Sequence, residues 1–293
     1  MRAGSERGLV RSNSWGLGLT GLITWAELQL APIANPFVWV RIQRFRDLDE
    51  FWDLNHEAEQ RYSYTVAWVD CLAKGSRLGR GIYFSGEHAP ALTETPHYRS
   101  RDFRVVLDPP FSLVNRLSLT AFNEIYYHYH KLLSSRPVLS HYVPFFYPLD
   151  AIGQWNRIYG RNGFFQYQCV LPKPNAREGL KVLLDEIGGS GQGSFLAVLK
   201  TFGAIRSPGL LSFPREGVTF ALDFPNRGIT TRRLFDRLDR VVMEAGGALY
   251  PAKDARMPAE LFRRGFPKWE KFTRYRDPAF SSNFWRRVAE DQP

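Results

Sequence analysis

Residues 164–171 read Phe-Phe-Gln-Tyr-Gln-Cys-Val-Leu, and Pro172 and Pro174 follow. The run is aromatic and apolar enough for a sheet strand, and the prolines end it because they cannot donate to a ladder. With a side-chain period of two, Gln166 and Gln168 share one face, while Tyr167 and Cys169 share the other. A polar stripe inside a strand must be solvated or hydrogen-bonded. It is either the solvent face of an antiparallel sheet or the lining of a polar cavity. Lys200 poses the same question inside Phe195-Leu-Ala-Val-Leu-Lys200.

Working outward, Ala176–Ile187 reads as a helix and Gly188–Gly193 as a turn. Phe195–Phe202 and Gly217–Phe224 read as strands. Thr231–Ala245 reads as a helix with apolar Leu234, Leu238, Val241 and Val242, closed by Gly246 and Gly247. Upstream, Phe37–Phe45, Tyr62–Val69, Gly79–Ser85 and Ser140–Tyr147 are strand-like, and Leu22–Leu30 alternates like a strand. A helix starts near Asp47 and carries Leu48, Phe51, Trp52 and Leu54 on one face. Residues 119–133 are Tyr-rich and fit either a helix or an extended segment. These elements imply an α+β fold, an antiparallel sheet flanked by helices on one face. No internal repeat is visible.

After the last long helix comes Gly246-Gly-Ala-Leu-Tyr-Pro-Ala-Lys-Asp-Ala-Arg-Met257, then a run of short basic helices. The loop sets Lys253 between a tyrosine and an Asp/Arg pair. Such a lysine is a surface residue, a structural ion-pair member or an active-site cation that stabilises a developing anion or moves a proton.

Composition narrows the class. In 293 residues, 44% are hydrophobic and 23% charged, which suits a folded chain with a large core. Cys71 and Cys169, the only two cysteines, make neither a disulfide framework nor a zinc pattern and suit a reducing compartment. No apolar run is long enough for a membrane span, and Met1–Ser14 is polar and basic without a signal-peptide core. The expected location is cytoplasmic. The net charge of +10 is concentrated in residues 226–293, which hold 15 Lys/Arg against 9 Asp/Glu. Acidic residues interrupt it throughout. It reads first as a solvated basic face, and otherwise as attraction for an anionic substrate, lipid head groups or, most weakly, nucleic acid.

Three motifs fail on context. Gly16-Leu-Gly-Leu-Thr-Gly21 satisfies G-x-G-x-x-G, but no strand precedes it and no helix follows. Gly188–Gly193 lacks the Gly-Lys-Ser/Thr ending of a phosphate loop. His128 and His130 could share a strand face and one metal ion, but no Cys, Asp or Glu nearby completes a shell.

Ten stretches taken together carry a resemblance. They are Gly18–Ile23, Tyr62–Asp70, Leu78–Gly81, Phe146–Asp150, Gln154–Gly160, Gly163–Gln168, Phe195–Gly203, Leu211–Pro214, Asp223–Pro225 and Gly246–Arg256. In that order and spacing the chain resembles the FAD-linked oxidases of the vanillyl-alcohol-oxidase/p-cresol-methylhydroxylase type, within them the decaprenylphosphoryl-ribose 2′-epimerase flavoprotein subunits.

The resemblance implies residues 1–35 as a remnant of the FAD-binding domain and 36–245 as a substrate, or cap, domain. Residues 246–293 would return to the FAD domain. It implies FAD as cofactor, held in part by Gly18, Gly21, Tyr250 and Lys253, with Lys253 catalytic. Gln166, Gln168, Lys200 and Thr219 would line the substrate pocket, with Trp68 and Phe146 as apolar wall. Thr219 and Ala221 stand where the resembled subunits have asparagine and cysteine. The implied reaction is oxidation of a secondary alcohol on a sugar-like, phosphorylated or lipid-phosphate substrate by hydride transfer to flavin. An aldonolactone oxidase, or a non-catalytic cap module without flavin, is the alternative. The family carries a dinucleotide-binding part ahead of the match to Gly16. The expectation is therefore an N-terminally truncated chain that binds FAD poorly by itself. A separate chain would supply the flavin domain, and peripheral membrane association fits the basic charge.

Overall fold

A computed structural model describes residues 15–290, apart from 93, 95, 100–102, 134, 135 and 255. The polar stretch Met1–Ser14 lies outside the described residues.

The strands are β1 (Phe37–Phe45), β2 (Tyr64–Val69), β3 (Gly81–His88), β4 (Phe103–Arg104), β5 (Val138–His141), β6 (Ile152–Gly153), β7 (Phe164–Pro172), β8 (Val198–Phe202), β9 (Gly217–Pro225) and β10 (Ala248–Leu249). The helices are α1 (Leu48–Glu59), α2 (Arg116–Leu133), α3 (Tyr142–Phe146), α4 (Ala176–Ser190) and α5 (Ile229–Glu244). The short α6 (Ala259–Gly265), α7 (Trp269–Thr273) and α8 (Asn283–Val288) follow. Eight strands form one sheet in the order β10-β7-β9-β8-β2-β3-β1-β5, antiparallel at every pairing. A separate two-residue pairing joins β4 to β6. The fold is α+β.

The sheet is a duplicated unit. β1-α1-β2-β3 and β7-α4-β8-β9 have the same connectivity and pairing, each adds an edge strand (β5 on β1, β10 on β7), and β2 joins β8 at the centre. The sequence shows no repeat because the two halves share only the alternation of apolar positions. One difference positions the site. α4 and α5, the two helices of the second half, pack together in the large core, with Phe235 and Leu238 in the same cluster as Tyr167 and Phe224. In the first half α1 takes that face and α2 takes the opposite one, setting Tyr127 among Val38, Val40, Ile42, Trp68 and Ile82. Helices therefore lie on both faces, not one. The polar face of β7, β9 and β8 is left for the site.

α2 is fixed by buried charge. Arg80 donates twice to Asp70, at 2.8 and 3.0 Å, and once to Glu124 at 2.6 Å, while Asn123 donates to Asp70 at 2.6 Å. Asp47 caps α1 by accepting from the Glu50 amide.

Four further readings change. Residues 119–133 resolve as helix. His128 and His130 therefore point apart: His128 lies by Glu124, and His130 bonds the Tyr126 carbonyl. Among the described residues no group of His, Cys, Asp and Glu could hold a metal ion. Ser140–Tyr147 is not a strand throughout, because His141 caps a helix and Pro144 sits in its first turn, where the missing N–H costs nothing. Gly188 and Gly189 continue α4, and Gly191 ends it at φ +67°. Residues 22–33 carry no regular structure despite their alternation, and Leu22, Ile23, Trp25, Leu28 and Leu30 are all exposed. They pair with no strand edge among the described residues.

Candidate functional site

The register of the second half sets the polar residues in rows. Gln168 faces Ala221, which faces Val198, which faces Trp68; one step along, Thr219 faces Lys200; at the far end Gln166 faces Asp223. By alternation all of these side chains rise on one face, opposite the core formed by Tyr167, Phe220, Leu222 and Leu199. Gln168 donates to the Thr219 hydroxyl at 3.1 Å, and that hydroxyl donates to the Cys169 carbonyl at 2.9 Å. The amide of Gln168 is thereby oriented.

Lys253 arrives from the β10 edge. The Tyr250 amide donates to the Gln168 carbonyl at 2.8 Å, extending the ladder by one bond, and Pro251–Lys253 turn back in a single 3-10 turn. Asp254 and Arg256 are both ion-paired with other residues. Asp254 pairs with Arg287, and Arg256 pairs with Asp239 at 2.7 Å and Asp236 at 3.5 Å. The side chains of Lys253 and Lys200 are left without a hydrogen-bond or ion-pair partner among the described residues. Burial, and then the Lys253 charge, push Lys200 below its ordinary pKa. Asp223 is a buried carboxylate that feels the Lys253 charge. Burial holds its carboxyl above the usual range, while a hydrogen bond from Gln166 and the charge of Lys253 pull it back. Asp223 is the functional candidate the sequence reading passed over. Its position two residues from Ala221 and four from Thr219 on an alternating strand was the available signal.

Tyr250 is half-buried between Phe213 (ring centroids 4.8 Å apart) and Trp15 (5.8 Å). Trp15 opens the turn carrying Gly18 and Gly21, and the Asp277 amide donates to the Leu19 carbonyl at 2.9 Å. The glycine turn thus sits beside Tyr250. Gly18 (φ +72°) and Gly21 (φ +132°) need glycine for their backbone angles, and open space lies where a Cβ would point. Trp68 is buried, donates to the Phe195 carbonyl at 2.8 Å and meets Tyr126 edge-on, forming a wall on the Val198 side. Phe146 stands apart: its ring contacts are Phe145, Tyr147 and Tyr64, the last four residues along β2 from Trp68. Lys253, Gln166, Gln168 and Tyr250 also line one cleft, and the ion-paired Asp254 and Arg256 line it with them.

No protein-family model matches the chain. It is 33% identical over 302 aligned residues to the decaprenylphosphoryl-β-D-ribose oxidase of Mycolicibacterium smegmatis, an alignment covering 98% of this chain and 64% of that protein. It is 30% identical to an uncharacterized protein in the mprA 5′ region of Streptomyces coelicolor, covering 96% of this chain and 80% of that one. Among solved structures, Physcomitrella patens BBE-like 1 aligns over 90% of this chain and 56% of its own at TM-score 0.46 and 10% identity. FgChi7B aligns over 83% of this chain and 53% of its own at TM-score 0.43 and 8% identity. The sequence relatives settle the class: the chain belongs to the FAD-linked oxidase family that includes decaprenylphosphoryl-β-D-ribose oxidase. FAD is that family's cofactor. The chain spans less than two-thirds of the length of the M. smegmatis relative.

The described residues fit the ring end of such a cofactor. Trp15, which opens the glycine turn, packs on Tyr250, three residues before Lys253, and open space lies at Gly18 and Gly21. Among the described residues no helix begins after the glycine turn to receive a diphosphate.

Proposed function

We propose that this chain forms the substrate-facing part of a FAD-dependent oxidoreductase acting on a secondary alcohol of a sugar-like substrate. The observation that carries the reading is a pair of ammonium groups, Lys200 on the hydrogen-bonding sheet face and Lys253 on the neighbouring turn, without side-chain ion-pair partners among the described residues, with buried Asp223 feeling the Lys253 charge. Bound FAD would supply the two-electron acceptor for the hydride of the alcohol carbon. The protein's own part is electrostatic and positional. Lys253 stabilises the negative charge that develops on the substrate oxygen. Asp223, with its raised pKa, is suited to receive the hydroxyl proton. Lys200 and the Gln168–Thr219 pair bind hydroxyl or phosphate oxygens of the sugar, and Trp68 gives its ring an apolar wall. The two lysines favour a phosphorylated or lipid-phosphate sugar over a neutral aldonolactone.

In this reading residues 1–35 and 246–293 both belong with the FAD-binding part, which the contacts Trp15–Tyr250 and Leu19–Asp277 support. A flavin-binding domain would cover the exposed apolar residues between Leu22 and Ile33. The location is cytoplasmic, with peripheral attachment through basic surface and no role for nucleic acid. Among the described residues no helix is long and apolar enough to cross a membrane.

The test is a visible spectrum of the purified chain with added FAD, alone and with a separately expressed flavin-binding domain. Bound flavin that bleaches with a sugar alcohol, and no longer bleaches in Lys253→Ala, is the expected result. Absence of flavin binding in both conditions would sink the catalytic reading and leave a binding module.

A further inference from the structure

A second groove, of about 430 Å³, lies between the β8–β9 loop (residues 203–216) and the α6–α7 junction. It shares no lining residue with the Lys253 cleft. Three cations line it: Arg206, Arg215 and Lys268. Among the described residues Glu216 is the only carboxylate there, and Lys173 occupies it at 2.8 Å. Arg215 is the informative group. Its Nε donates to the Phe213 carbonyl at 3.3 Å, and its guanidinium lies 5.5 Å over the Phe266 ring. Those contacts fix the plane of the fork and leave its two terminal nitrogens without a protein acceptor among the described residues. Burial lowers its pKa and no neighbouring acid offsets this. A half-buried cation held in one orientation without an anion is a cost the fold carries. Arg206 and Lys268 stand exposed on the rim, also without partners among the described residues. Ser207 and Ser212 share one hydrogen bond at 2.6 Å, so one of the two hydroxyl protons is free to donate outward.

We infer that this groove binds the phosphate group of a small anionic ligand, with Arg215 as the oriented fork and Arg206 and Lys268 as rim charges. A guanidinium fork with unused parallel N–H donors matches phosphate geometry, and a groove of this size suits a diphosphate or a mononucleotide. The same loop carries Phe213 against Tyr250, so an occupant would also brace the ring that borders the candidate site. The inference does not depend on the flavin reading.

The experiment is calorimetric titration of the full chain at low salt with inorganic pyrophosphate and, separately, with ADP. One equivalent of pyrophosphate is expected to bind. Arg215→Ala should weaken it at least about tenfold, since Arg–phosphate pairs are strong. Arg206→Ala and Lys268→Ala should each weaken it severalfold with an unchanged melting temperature, which keeps the test sound if Arg215→Ala folds poorly. Lys253→Ala and Lys200→Ala should leave it unchanged. ADP binding more tightly than pyrophosphate would assign the phosphate to a nucleotide, and equal binding to the phosphate group alone. No binding at millimolar pyrophosphate, unchanged binding in both rim variants, or loss in Lys253→Ala would overturn the assignment.

Discussion

Asp70→Ala should loosen α2 from the sheet and with it the wall behind Trp68. Asp70 is a buried acceptor of four donors: two from Arg80, one from Asn123 and one from the Leu72 amide. The Arg80 and Asp70 side chains are 6% and 4% exposed. Removing Asp70 leaves the guanidinium with only Glu124, itself 39% exposed. Breaking a buried pair by deleting one partner costs roughly 3–5 kcal/mol, because the other charge stays buried. For a chain of this size that corresponds to a fall of about 6–15 °C in melting temperature. Urea unfolding followed by tryptophan fluorescence measures it. Arg46→Ala is the control. It removes a pair whose arginine is 80% exposed, so its effect should stay within about 0.5 kcal/mol. A loss under about 1 kcal/mol for Asp70→Ala, or equal losses in the two variants, would refute the claim that buried charge pins α2.

Lys253→Ala should raise the pKa of Lys200 toward its ordinary value, since one of the two causes of its depression is gone; lysine side-chain NMR titration reads this, and an unmoved Lys200 would separate the two ammonium groups. Asp239 has its pKa raised to about 6, chiefly by burial, with Arg256 opposing. The fold therefore favours its protonated form. The stability this provides is complete below about pH 4 and is lost as pH rises through about 6, by up to ~3 kcal/mol. Asp239→Asn should lack that slope, so the difference in stability between wild type and variant should fall by that amount across the same pH range. Gly81→Ala should prevent folding or cost more than about 3 kcal/mol, because its Cβ would lie 2.1 Å from the Trp68 carbonyl oxygen; a soluble variant with an unchanged circular-dichroism melt would contradict the β2–β3 register.

The alternation in residues 164–171, 195–202 and 217–224 determines the strands of the second half, and it determines that Gln166, Gln168, Lys200 and Thr219 share a face. Period two fixes facing locally, whatever the sheet order. The end of α5 at Gly246 and the turn holding Lys253 are equally local, set by backbone preference. Tertiary structure decided the rest. Whether the glutamine face met solvent, helix or cavity depended on α2 and α5 choosing opposite sides of a duplicated sheet, and both helices have a usable apolar stripe. That choice also separated Phe146 from the polar rows. Only three-dimensional pairing could show that Asp254 and Arg256 serve Arg287 and Asp239, which leaves Lys253 free of both. The alternation of Leu22–Leu30 states an intention to pair, but a strand exists only where another edge accepts its hydrogen bonds.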